Sequence, residues 1–229
     1  TNYFLTVYAT LFPEDITLRE IFRREGDSIP ALRENFGLSE EDAISLAQTN
    51  KSLLWERVFN CPTQQPTRGI IAKIFYNHAN ESDSVWNLIK EHCRIIHLIR
   101  RNQFDVFVSL QMALKTGRWH NFGNHSAPPD VSITIDRTEL EEFINKKRRY
   151  IEWARDVFSS SPCYTELFYE DLALSPQACS KAICEIYGIR PPESITIRQK
   201  RQKVVPNFEI VTNYDEVSDL DANIQEISA

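Results

Sequence analysis

Arg94-Ile-Ile-His-Leu-Ile-Arg-Arg-Asn-Gln-Phe-Asp-Val-Phe-Val-Ser-Leu-Gln-Met-Ala-Leu-Lys-Thr116 changes character in its middle. Its first part, 95–99, is a short β-branched apolar run of the kind that fits a strand buried on both faces. Arg100-Arg101-Asn102 breaks the run. Asn102 suits a helix N-cap, and Asp105 follows three residues on, where a carboxylate meets free backbone N–H groups. From there to Leu114 the chain is almost wholly apolar, with Ser109 its small hydroxyl. A strand that ends in arginine and turns directly into a helix N-terminus concentrates positive potential, which predicts an anion site with phosphate as the leading candidate. The residue types alone leave this open, because arginine is common at such turns and a buried helical serine ordinarily bonds back to a carbonyl.

The chain around this stretch has 229 residues, 42% hydrophobic and 11% aromatic, enough for one α/β domain with a core of its own. A net charge of −6 argues against an extensive nucleic-acid surface while leaving room for a local basic pocket. The five cysteines are scattered, without metal-ligand spacing, and fit a reducing compartment better than a disulfide framework. No run is long and apolar enough for a transmembrane helix, and no signal peptide is visible.

Working outward, Gly69 to Tyr76 is a second buried-strand candidate, carrying Lys73 inside an apolar run. That lysine must find an anion or reach solvent. Residues 82–93 read as an amphipathic helix, so strand, helix and strand form a βαβ unit with a parallel pair and a right-handed crossover. Ligands in such sheets bind beyond the carboxyl ends of the strands, toward which Lys73 and Arg101 both lie. Toward the N-terminus, 1–12 reads as a helix stopped by Pro13, and Thr17 with Glu20 resembles a capping box for the next helix. Ser39 opens another helix with Glu40, Glu41 and Asp42 in its first turn, and a short one follows over 52–59. The arginines around Glu20 and the run Lys146-Lys147-Arg148-Arg149 read as solvated helix faces. Toward the C-terminus, 117–129 is a polar loop, either a substrate lid or plain surface. Residues 137–158 form a long helix and 165–169 a third strand, and Pro176 opens a helix that Gly188 ends.

Arg101-Asn102-Gln103-Phe104-Asp105-Val106-Phe107-Val108-Ser109 resembles the 3′-phosphate motif of the sulfotransferases, an Arg with a Ser eight residues later. The strand-ending Phe168-Tyr169-Glu170-Asp171-Leu172, with Tyr187-Gly188 after a helix, is similar to the same family. So are Lys200-Arg201-Gln202-Lys203 and the Asn213-Tyr214-Asp215-Glu216 segment, which look like the ends of the bacterial carbohydrate (lipopolysaccharide and nodulation-factor) enzymes. The resemblance implies an α/β, P-loop-like three-layer fold with a mostly parallel central sheet flanked by helices. It implies a single domain over 1–229, with a C-terminal arm over 190–229. Thr1-Asn2 would be the remnant of the 5′-phosphosulfate loop, so the first strand and most of that loop are expected upstream of Thr1.

By the same resemblance the donor is 3′-phosphoadenosine 5′-phosphosulfate (PAPS), no metal is needed, and the acceptor is a hydroxyl, of a sugar before other small molecules. Arg101 and Ser109 would anchor the 3′-phosphate, Thr1 and Asn2 the other end, and Lys200, Arg201, Gln202 and Lys203 would close over the nucleotide. Lys73 would be the cation near the transferred group. Two residues compete as catalytic base: His78, with an unshifted pKa suited to neutrality, and Glu20, followed by an aromatic as in the carbohydrate branch and placed slightly ahead. A bacterial relative would work in the cytoplasm, and the Golgi lumen stays open because a further N-terminal segment is expected upstream of Thr1. The alternatives are a small-molecule kinase on a P-loop-like sheet and a nucleotide- or glycan-binding domain without turnover.

Overall fold

A computed structural model describes residues 16–19, 29–59, 69–117, 131–188, 190–191, 193 and 206–222. They belong to a mixed α/β chain that divides into two compact units.

The first unit comprises Thr1–Ile96, Ala154–Thr165 and Ser180–Ile195. Strands β1 (Ile16–Arg19) and β2 (Ile70–Lys73) run parallel, with Ile16 opposite Ile70 and Arg19 opposite Lys73. A parallel pair needs a long crossover, and helices α1 (Ile29–Phe36), α2 (Glu40–Thr49) and α3 (Lys51–Phe59) lie within it. Helix α1 packs on β1, whose Leu18 is wholly buried. Thr17 is therefore a strand residue and not the helix cap its spacing to Glu20 suggests. Ile16 and Thr17 are β-branched, lose χ1 freedom in a helix and pack well on a pleated surface, so strand pairing outweighs the capping pattern. Ser39 does cap α2, its Oγ accepting from the Asp42 N–H at 3.0 Å. After a 3₁₀ turn at Tyr76–His78 comes α4 (Val85–His92), which buries Val85, Trp86 and Ile89 on one stripe.

Strand β3 (Ile95–Ile99) pairs with β4 (Tyr164–Phe168). Among the described residues β2 is hydrogen-bonded to β1, and no ladder joins it to β3, the pair that the strand–helix–strand order suggests. An apolar run tells that a strand is buried, not which strand lies beside it.

The second unit comprises His97–Trp153, Glu166–Cys179 and Thr196–Ala229. Here α5 (Gln103–Thr116) begins directly after β3 and ends at Gly117, whose φ of 67° is the left-handed cap conformation that glycine adopts without strain. The long α6 (Arg137–Phe158) follows, then α7 (Tyr169–Leu174) at the end of β4, and α8 (Pro176–Tyr187). Two further helices, α9 (Asn207–Ile210) and α10 (Tyr214–Ala222), close the described chain. The core of this unit gathers Phe104, Phe107 and Val108 from α5, Ile133 and Ile135, Leu140 from α6, and Ile210, Val211 and Val217. Ile133 and Val211 form a parallel bridge, with Ile133 N–H bonded to Ile210 and Thr212 N–H to Ile133, both at 2.8 Å. Asn213 extends that pairing with its side chain, accepting from Ile135 N–H and donating to Ile135 C=O at 2.9 Å each. Residues 206–222 are thus built into the core around α5.

Candidate functional site

The end of β3 delivers its side chains to the start of α5. Asn102 is extended, and its Oδ1 accepts from the Asp105 N–H at 2.8 Å, closing the first helical turn as a cap should. The backbone N–H of Arg101 donates to both oxygens of Glu170 at 3.0 and 3.1 Å, and that of Asn102 donates to the same carboxylate at 3.2 Å. An anion sits on this strand-to-helix turn, and it is the chain's own carboxylate.

The Arg101 guanidinium stacks on Phe168, 3.8 Å from the ring centroid, and its Nη1 and Nη2 donate to the two oxygens of Asp171 at 2.8 and 2.9 Å. The hydrogen bond is the first cause that holds Asp171 below the usual carboxylate range and pushes Arg101 up. With the side chains 24% and 55% exposed, the pair is worth less than about 1 kcal/mol. Its larger effect is orientation. A guanidinium carries five N–H donors, and the Nε edge of Arg101 stays uncommitted among the described residues. An oxyanion can be taken on that edge while Asp171 holds the other, so the geometry fits a phosphate ligand.

A second polar cluster braces the same turn. Asn207, 8% exposed, donates through Nδ2 to Asp105 and to Asp221, each at 2.9 Å. Asp221 also accepts from Asn102 Nδ2 at 3.1 Å and from the Tyr214 hydroxyl at 2.8 Å. That bond to Asp221 pushes the Tyr214 phenol up. The residue that caps α5 with its oxygen is therefore gripped through its amide nitrogen by α10. The neighbouring Arg100 stacks over Tyr169 at 3.8 Å.

The residues singled out in the sequence fall in three groups. Arg101 and Ser109 share the β3–α5 segment, Ser109 half-buried and about 10 Å along the helix from its cap. Lys73 and His78 belong to the first unit, both 7% exposed. Lys73 ends β2 with its ammonium 4.7 Å from the Phe75 ring centroid, and the His78 ring meets Phe75 edge-on at 5.0 Å. His78 Nδ1 accepts from the Phe75 N–H at 3.2 Å, which assigns the neutral tautomer with its proton on Nε2. Thr1, Asn2, Glu20, Lys200, Arg201, Gln202 and Lys203 lie outside the described residues.

The sequence reading did not single out Glu170, Asp171, Asn207 and Asp221 as site residues. For the first two a signal exists: one strand is followed by Arg100-Arg101 and another by Glu170-Asp171, and opposite charges just beyond two strands invite pairing. Asn207 and Asp221 carry no such local mark. Among the described residues no helix is long and apolar enough to cross a membrane.

No protein-family model and no curated protein matches the chain. One solved structure, of a sulfotransferase from Alicyclobacillus acidocaldarius, is similar to it at 15% sequence identity and a TM-score of 0.49, covering 96% of this chain and 87% of that one.

Proposed function

We propose that this chain binds PAPS at the β3–α5 junction and transfers its sulfuryl group to a hydroxyl acceptor, a carbohydrate hydroxyl before others. The observation that carries the reading is Arg101, held at a strand end by Phe168 and Asp171 with one donor edge uncommitted, eight residues before Ser109 on the helix that Asn102 caps. An arginine edge matches a phosphate with two parallel N–H donors, which a lysine cannot do. The 3′-phosphate would lie against Arg101 and Ser109, with Thr1 and Asn2 toward the 5′ end and Lys200, Arg201, Gln202 and Lys203 over the nucleotide.

In the transfer the acceptor oxygen attacks sulfur in line as the bond from sulfur to the bridging phosphate oxygen breaks, and charge builds on the leaving nucleotide phosphate. Lys73 is proposed as the cation that meets this charge. The acceptor proton goes to Glu20 in preference to His78, because the basic Nδ1 lone pair of His78 is already turned to the Phe75 N–H. The chemistry needs no metal, and a bacterial chain of this kind would act in the cytoplasm.

Incubation with PAPS carrying a radioactive sulfuryl group and a panel of sugars tests the reading. Label is expected on a sugar hydroxyl. Transfer from labelled ATP instead would establish the kinase alternative, and nucleotide binding without transfer from either donor would leave a non-catalytic binding domain.

A further inference from the structure

Two consecutive arginines follow β3, and the structure treats them differently. Each guanidinium lies 3.8 Å from the centroid of an aromatic ring, Arg101 over Phe168 and Arg100 over Tyr169. Arg101 is engaged further by Asp171. Arg100 has no carboxylate or carbonyl partner for its side chain among the described residues, and it is half-buried. Its backbone is pinned, since its carbonyl accepts from Nε2 of the buried Gln103. Stacking on a ring fixes the guanidinium plane and leaves all five N–H donors pointing outward in that plane.

We propose that Arg100, backed by Tyr169, is a binding residue for a tetrahedral oxyanion, a phosphate or sulfate group of a small molecule, at the carboxyl end of β3. Ordering a partly buried guanidinium without acceptors is unfavourable, and a doubly charged oxyanion offers two parallel acceptors at the fork's own spacing. The carboxyl ends of strands are where ligands of α/β sheets dock. The identity of the anion as a nucleotide phosphate or a transferred sulfate rests on the proposed function, while the site itself does not.

The test is a titration of the chain with inorganic phosphate, and separately with inorganic sulfate, followed through the arginine Nε–H resonances in ¹⁵N spectra. Saturable movement of the Arg100 resonance with either anion is expected, with the exposed Arg149 unmoved. Arg100→Gln should weaken the anion at least about tenfold, and Arg100→Lys, which keeps charge without the fork, about threefold or more. No saturable shift at Arg100 with either anion overturns the proposal, as does wild-type affinity in Arg100→Gln with retained fold by circular dichroism. If adenosine 3′,5′-bisphosphate binding depends on Arg101 while Arg100→Gln leaves all anions unaffected, this inference fails and the proposed function stands. If phosphate moves Arg100 and labelled PAPS yields no transfer, the reverse holds.

Discussion

The ends of β2 and β3 offer two ways of presenting a cation. At β2, Lys73 and His78 both meet Phe75, two and three positions away, while the strand itself pairs with β1. At β3 the cation is placed by residues far along the chain: Phe168, Glu170 and Asp171 fix Arg101, while Asp221 and Asn207 brace its neighbours Asn102 and Asp105. A residue held by its own turn keeps its place when distant parts of the chain change. One held across the fold keeps its place only when those parts are correct. The β3 end is therefore exposed to mutation at distant positions of the chain.

The largest effect belongs to the chemistry that the first unit is proposed to supply. Glu20→Gln should lower turnover by ~10²–10⁴-fold with donor affinity retained, and His78→Asn should stay within about tenfold of wild type. Steady-state rates with labelled donor check both, and a reversed pair of results would make the local His78 turn the reactive element. Next, Glu170→Ala strips the carboxylate from two backbone N–H groups and should cost about 2–3 kcal/mol in urea unfolding. Asn207→Ala removes the amide that joins Asp105 to Asp221, leaves two carboxylates close together, and should cost about 1–2 kcal/mol in the same assay. A smaller loss for either variant than for a matched change at Ser39, the exposed cap of α2, would break the contrast between distant and local support.

The smallest effect is expected at Asp171, whose pairing lies in solvent. Asp171→Asn should cost less than about 1 kcal/mol at pH 7. Its carboxyl is held below the ordinary value of 3.8 in the fold, chiefly by the hydrogen bond from Arg101. A depressed folded pKa stabilises above the unfolded value and loses that contribution as pH falls through the folded one. The gap between wild type and Asp171→Asn should accordingly be constant from pH 7 down to about 5, then close below pH 3.8. Urea midpoints across that range give the check.

Local chemistry explains what could be read in advance. The 95–99 strand, the Asn102 cap, the Ser39 cap, the long helix over 137–158 and the Pro176 start are each written in a few adjacent residues. Thr17 misled because a capping pattern and a β-branched pair coincide there, and only pairing with β2 decides between them. The site divides in the same way. The spacing of Arg101 and Ser109, on which the proposed phosphate site rests, is a local pattern, whereas the hold of Asp221 on Asn102 spans 119 positions and has no local trace. The contrast between Arg100 and Arg101 was equally hidden, because it depends on which of the two meets Asp171.

Calorimetric titration of adenosine 3′,5′-bisphosphate into wild type and Arg101→Ala tests the central claim most directly. Binding by the wild type and a loss of about 2–3 kcal/mol, roughly 30- to 150-fold, in the variant is the predicted result. Equal affinity in the two proteins, with the variant's fold intact, would contradict the assignment of the β3–α5 junction as the phosphate site.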